Sequence, residues 1–148
     1  WLKGKKVFIR NPNSTRPWQH VLEVLNGYLK LACSLKKNKK LHGEAFNFGP
    51  DNKSSHDVYS VVKLMGHFWK NVRMTKIKKK KVYFHESSLL KLNSNKAKKF
   101  LKWRTILTFK ETIKLVADWY KNFYDKKDSS FITFYQIKLF MSLLKKRR

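Results

Sequence analysis

Ile9-Arg10-Asn11-Pro12-Asn13-Ser14-Thr15-Arg16-Pro17-Trp18-Gln19-His20-Val21 joins two different patterns of the chain. Upstream lies a short apolar run, Val7-Phe8-Ile9, which reads as a strand through Arg10. Downstream, apolar residues recur at helical spacing from Trp18 to near Lys36: Val21, Leu22, Leu25, Leu29, Ala32 and Leu35. Between them, Asn and Ser side chains bond their own backbone and Pro fixes φ, so the segment is a shaped turn. Arg16 therefore falls on a strand-to-helix loop near a helix N-terminus, where a guanidinium fork and unpaired N–H groups both suit a phosphate oxygen. The plainer alternative is that Arg16 is one more surface cation.

Further along, Glu44-Ala45-Phe46-Asn47-Phe48-Gly49-Pro50 has the look of a short strand stopped by Gly-Pro. A second helix is expected with Val58, Val61, Val62, Met65, Phe68 and Trp69 on one face. Basic residues fill the stretch from Asn71 to Lys81, and Val82-Tyr83-Phe84 and Leu89 to Leu92 are candidate strands. Ser94 is a candidate N-cap for a short helix through Leu101, with Ala97 and Leu101 inward. Thr108-x-x-Glu111 has capping-box spacing ahead of a stripe of Phe109, Ile113, Val116, Tyr120 and Phe123. Thr133-x-x-Gln136 repeats the device before a last helix with Ile137, Phe140, Met141 and Leu144. Short strands alternating with helices predict an α/β arrangement.

The chain has 148 residues, the length of one domain or of a part of a larger one. It opens on Trp1, so a piece of a longer protein is expected. Its 42% hydrophobic content is enough for a core, which excludes disorder throughout. No apolar run approaches the ~18 residues of a membrane span. The single Cys33 excludes an internal disulfide and fits a reducing cytoplasm. Net charge is +26, a field that attracts polyanions without a specific site. Only six of the 35 cations are Arg, however, and the chain is also rich in Asn, Phe, Ile and Tyr. All these residues, like Lys, have A/T-rich codons, so a lysine-coated enzyme is as good an account as an evolved polyanion binder.

Tyr59-Ser-Val-Val-Lys63 matches a Tyr-x-x-x-Lys dyad, but Tyr59 falls within a helix whose other apolar residues look like core, and it is taken as structural. Gly4, Gly27, Gly43, Gly49 and Gly66 are scattered and build no dinucleotide fingerprint. The five histidines have no metal-ligand spacing. Asn47, at an expected strand end, is a neutral donor for a phosphate or sugar, or else a turn-forming Asn. His85-Glu86 is either an anchor for a nucleotide or sugar hydroxyl or a surface pair. Trp18, Trp69 and Trp119 sit in or beside apolar stripes and are expected in the core, and no nucleic-acid signature is visible.

The string from Arg10 to Glu23 resembles a hallmark of CDP-glucose 4,6-dehydratases, enzymes of the extended short-chain dehydrogenase/reductase type. Further similarities run along the chain: Asn47-Phe48-Gly49-Pro50; His85-Glu86-Ser87 for a His-Glu-Ala segment; Leu90-Lys91-Leu92-Asn93 for Leu-Lys-Leu-Asp; Leu101-Lys102-Trp103 for Leu-Gly-Trp; and Trp119-Tyr120-Lys121. The departures at Ser87, Asn93 and Lys102 bear on local turn geometry and on any role of the missing carboxylate.

The resemblance implies that residues 1–148 are the C-terminal, substrate-binding part of a Rossmann-type fold. The NAD-binding half and the catalytic Tyr/Lys would then lie outside this chain. It implies a cytoplasmic lyase that makes CDP-4-keto-6-deoxyglucose for deoxysugars of surface polysaccharides, with the full-length enzyme a homodimer. The expected substrate contacts are Arg16, Asn47 and His85, with no catalytic residue, cofactor ligand or metal ligand in the chain. The competing expectation is a small lysine-rich module binding nucleic acid or another polyanion.

Overall fold

A computed structural model describes residues 5–51, 55–69, 74–76 and 90–147. Within them the chain is mostly helical. Strand β1 (Val7–Ile9) leads to β2 (Thr15–Arg16), helix α1 (Val21–Lys37) and a single 3-10 turn, Lys39–Leu41. Then come β3 (His56–Asp57), α2 (Val58–Phe68), β4 (Met74–Lys76), α3 (Asn95–Leu101), α4 (Phe109–Tyr124) and α5 (Ser129–Lys146). β1 pairs with β4 in parallel, Val7 opposite Met74, and β2 pairs antiparallel with β3, Thr15 opposite Asp57 and Arg16 opposite His56.

The α/β expectation therefore holds only in coarse form: among the described residues the strands are two or three residues long, and helices carry the packing. Residues 44–50 form no strand; they run without regular partners, because the backbone there is tied down by side chains instead. β4 lies in the basic stretch for which no strand was expected. The candidate strand Val82-Tyr83-Phe84 and residue 89 of Leu89–Leu92 lie outside the described residues, and 90–92 are not a strand.

Local signals place the helix starts. Asp57 caps α2 by accepting from Ser60 N at 2.8 Å. Thr108 and Glu111 form the expected capping box at α4, Glu111 N donating to Thr108 Oγ1 at 3.2 Å and Thr108 N to Glu111 Oε2 at 2.7 Å. For α5 the capping box at Thr133 is not the start. Asp128 is the cap, accepting from Ser130 N at 2.8 Å, and the helix begins five residues earlier than a cap at Thr133 would place it. Thr133 instead donates to Ser129 O at 2.7 Å inside the helix and accepts from Trp119 Nε1 at 2.9 Å.

Two buried clusters make the core. One comprises Leu41, Phe48, Ala97, Leu101 and Trp103, with Leu31, Leu35 and Phe46 against it. The other comprises Ile106, Leu107, Leu115 and Phe140, with Leu22, Leu139, Leu143 and Leu144. Among the described residues the fully buried Trp is Trp103; Trp18, Trp69 and Trp119 are only half-buried, which corrects their expected place in the core. The apolar stripe expected on α1 is also largely outward: Val21, Leu25 and Leu29 are exposed, while Glu23 and Gly27 are the buried positions. A Cβ at Gly27 would stand 2.5 Å from the Phe48 ring, so only glycine lets the two segments meet. On α4, Tyr120 and Phe123 are likewise exposed, and Thr112, Ile113, Leu115 and Ala117 face in. Met141 of α5 is exposed as well.

α3 ends on Lys102, whose φ of 51° and ψ of 32° are left-handed. Trp103 N donates to Ala97 O at 3.3 Å, the bond that closes a helix on such a residue. A side chain with a Cβ costs about 1–2 kcal/mol in this conformation, where glycine is nearly free.

Candidate functional site

The turn around Arg16 is built by backbone bonds to the start of α2. Val58 N donates to Ser14 O at 3.1 Å and Tyr59 N to Pro12 O at 2.9 Å, while Ser60 N is held by Asp57. The Asn/Pro/Ser-rich loop thus folds over α2 and satisfies two of its orphan N–H groups, and Asp57 satisfies a third. The α2 N-terminus that packs on this turn thus has its donors engaged within the protein; the helix start expected beside Arg16 is that of α1, where Leu22 N donates to His20 Nδ1 at 3.3 Å and Glu23 N to His20 O at 3.0 Å. Arg16 is half-buried, pairs through its backbone with His56, and donates from Nη1 to Thr15 O at 2.7 Å.

Two side chains carry the turn across to the rest of the site. Trp18 Nε1 donates to His56 O at 2.8 Å, and the His56 ring stacks on Phe109 with centroids 3.6 Å apart and planes at 13°. Gln19 Nε2 donates to Phe48 O at 2.8 Å. That bond ties Phe48, the neighbour of the exposed Asn47, to a residue three positions after Arg16. Asn47 is not at a strand end, since no strand forms there. His85 lies outside the described residues. Tyr59 is in the first turn of α2, with its N–H on the loop and Lys63 one turn on.

Beside the turn is a cavity of about 230 Å³, walled by Trp18, Gln19, Pro50, Thr108 and Phe109 with Glu23 at its base. Glu23 was not singled out from sequence. It is fully buried, and its Oε1 accepts from Ile106 N at 2.8 Å and Leu107 N at 2.7 Å. Its main-chain oxygen accepts from Trp103 Nε1 at 3.1 Å. Burial raises its carboxyl pKa, partly opposed by the two backbone donors and helped by the nearby Glu111. Oε2 of Glu23 and Oε1 of Gln19 are buried acceptors without a donor. His20, buried at the start of α1, has its pKa lowered by desolvation; its Nδ1 accepts from Leu22 N at 3.3 Å, as a neutral ring can. The only sequence signal for Glu23 was an acid on the side of α1 opposite the exposed leucines.

The site holds hydrogen-bond donors and acceptors for a polar ligand but no nucleophile–base pair and no dinucleotide cradle. Gly27 and Gly49 are taken up by close packing on Phe48 and Leu92, so the residues described do not fit NAD. No group of three potential metal ligands occurs among the described residues.

Compared with known proteins, the chain is 35% identical over 118 residues to the CDP-glucose 4,6-dehydratase of Salmonella typhimurium. The match takes in 80% of this chain and 33% of that protein. The two are homologous, and the chain spans about a third of the length of the relative it matches. No protein-family model matches the chain.

Proposed function

We propose that the chain is the substrate-side portion of a CDP-glucose 4,6-dehydratase. The observation that carries this is the homology over 118 residues. The geometry supports it through the Gln19–Phe48 bond, which ties the Arg16 turn to Phe48, the neighbour of Asn47. In this proposal the Arg16 guanidinium meets the pyrophosphate, Asn47 meets a phosphate or sugar oxygen, and His85 closes over the nucleotide. Nicotinamide chemistry, and the acid/base residues of the elimination, belong to a portion this chain does not contain. The complete enzyme would be a homodimer that binds NAD and lives in the cytoplasm.

Ligand-observed NMR with the 148-residue chain tests the binding side. CDP-glucose is expected to bind, with UDP-glucose and dTDP-glucose weaker. In Arg16→Ala a charge-assisted contact of about 1.5–3 kcal/mol is lost, so affinity falls roughly ten- to a hundredfold. Unchanged affinity in that variant removes Arg16 from the site. Turnover of CDP-glucose and NAD by this chain alone would overturn the structural assignment of Tyr59.

A further inference from the structure

A second concave site lies along α1, beyond the Arg16 turn. It is a cavity of about 600 Å³ bounded by α1, α3, the segment that follows α3 and the end of α5. Its polar lining is Asn26 and Lys30 of α1, Lys98 of α3, Lys102 and Arg104 of the connector, and Asp51. Four cations thus face one carboxylate. In so basic a chain such a count means little by itself. Two further cavities among the described residues supply a contrast: the one beside Trp18 and an apolar one of about 420 Å³ between α1, α4 and α5 have no Lys or Arg in their linings. Of these three cavities among the described residues, one gathers the cations.

The cations are also held there. Lys30 Nζ donates to Lys102 O at 2.8 Å, across 72 residues. Arg104 Nη2 donates to Arg147 O at 2.9 Å, which ties its guanidinium to the end of α5. Lys98 pairs with Asp51. Asn26 adds a buried amide nitrogen with no acceptor. Finally, the left-handed position at the end of α3, where glycine would be nearly free, carries Lys102. A cation is present at the one point of the wall where backbone preference argues against any side chain.

We propose that this cavity is a binding site for a small phosphate-bearing anion, with Lys30, Lys98, Lys102 and Arg104 as the cationic wall. Arg supplies a planar fork and the ammonium groups supply point charges, a mixture that suits tetrahedral oxyanions carrying more than one charge. Asp51 competes for Lys98 and is displaced from it when the anion enters. The site is distinct from the Arg16 turn and does not depend on the function proposed for that turn.

Inorganic pyrophosphate is the probe, titrated into the 148-residue chain by calorimetry at fixed ionic strength. One saturable site is expected. Lys102→Gly weakens it about tenfold while leaving the thermal midpoint unchanged or higher, because the left-handed strain is relieved. Arg104→Gln weakens it by a similar factor. Lys114→Gln, on the exposed face of α4, leaves it unaltered. Three results overturn the proposal. One is equal affinity in Lys102→Gly and the parent chain. Another is an equal loss in Lys114→Gln, which would mean a diffuse field. The third is a single-stranded oligonucleotide that binds more tightly than pyrophosphate and is indifferent to Lys102→Gly.

Discussion

The Trp103 cluster and the α4–α5 pair are both well packed, but they are held by bonds of different reach. Around Trp103, the anchors join distant parts of the chain: Trp103 Nε1 to Glu23 O, Gly49 N to Ser94 Oγ at 2.9 Å, and Gln19 Nε2 to Phe48 O. These span 80, 45 and 29 residues. In the helical pair most anchors are closer in sequence, the Arg147–Glu111 fork, 36 residues apart, being the exception. The capping box spans three residues, Trp119 to Thr133 fourteen, and Gln136 Nε2 to Leu115 O 21. Side-chain bonds to an irregular backbone do in the first region what helix periodicity and caps do in the second. Regular structure satisfies its own polar groups; the 44–50 segment borrows partners from elsewhere.

The contrast can be broken most forcefully at Trp103. Trp103→Ala removes a fully buried ring and its bond to Glu23, and is expected to destabilise the chain by about 3–5 kcal/mol in urea denaturation. A loss near 1 kcal/mol would show that the irregular region is not the cooperative centre. Next comes Glu23, which serves both regions. Glu23→Ala strands the Ile106 and Leu107 N–H groups and is expected to cost about 2 kcal/mol. Glu23→Gln keeps an acceptor and costs less. Because burial raises the folded pKa of Glu23 above 4.5, the parent chain loses stability as pH rises above that value, and Glu23→Gln removes that loss.

The smallest effect is expected at the one long-range tie of the helical pair. Arg147 holds Glu111 in a fork, Nη2 to Oε1 at 2.7 Å and Nη1 to Oε2 at 2.9 Å, and also donates to Ile106 O. The Arg147 guanidinium holds the Glu111 carboxyl down to about 2 from its ordinary 4.5. The stability this contributes is present above pH 4.5 and is lost as pH falls toward 2. Both partners are about one-third or more exposed, so Arg147→Gln should cost under about 1 kcal/mol near neutral pH. Its signature is a flatter acid limb in thermal melts; an unchanged limb would assign the acid sensitivity elsewhere.

The same difference in reach sets what the sequence discloses. The α4 helix is legible because Thr108 and Glu111 act within one turn of their own backbone, and α2 because its apolar residues recur at helical spacing. α5 is legible as a helix, yet its start is displaced because Thr133 has the spacing of a cap while Asp128 does the capping. On α1 the periodicity misleads in part: Leu25 and Leu29 are outside while Leu22 and Leu35 pack inward, and the most buried position is a carboxylate whose donors lie 83 and 84 residues away. Ser94 is found at its N-cap position but makes no capping bond, since its hydroxyl serves Gly49. At the candidate site the Arg16 turn can be read from its own residues, whereas its tie to the segment at Phe48 rests on Gln19, which no local pattern marks.

The parallel pair of β1 and β4 carries a consequence for synthesis. Val7 must wait for Met74, 67 residues later. At roughly 5–20 residues per second on the ribosome, that is a delay of about 3–13 s. Helix α1, which needs only its own backbone, can form in the interval, whereas β1 still lacks β4. Phe8 is 67% exposed even in the finished fold, so the waiting strand offers an open edge and an aromatic side chain together. Nascent chains stalled before Met74 should therefore be captured by chaperones more readily than chains released after Lys76.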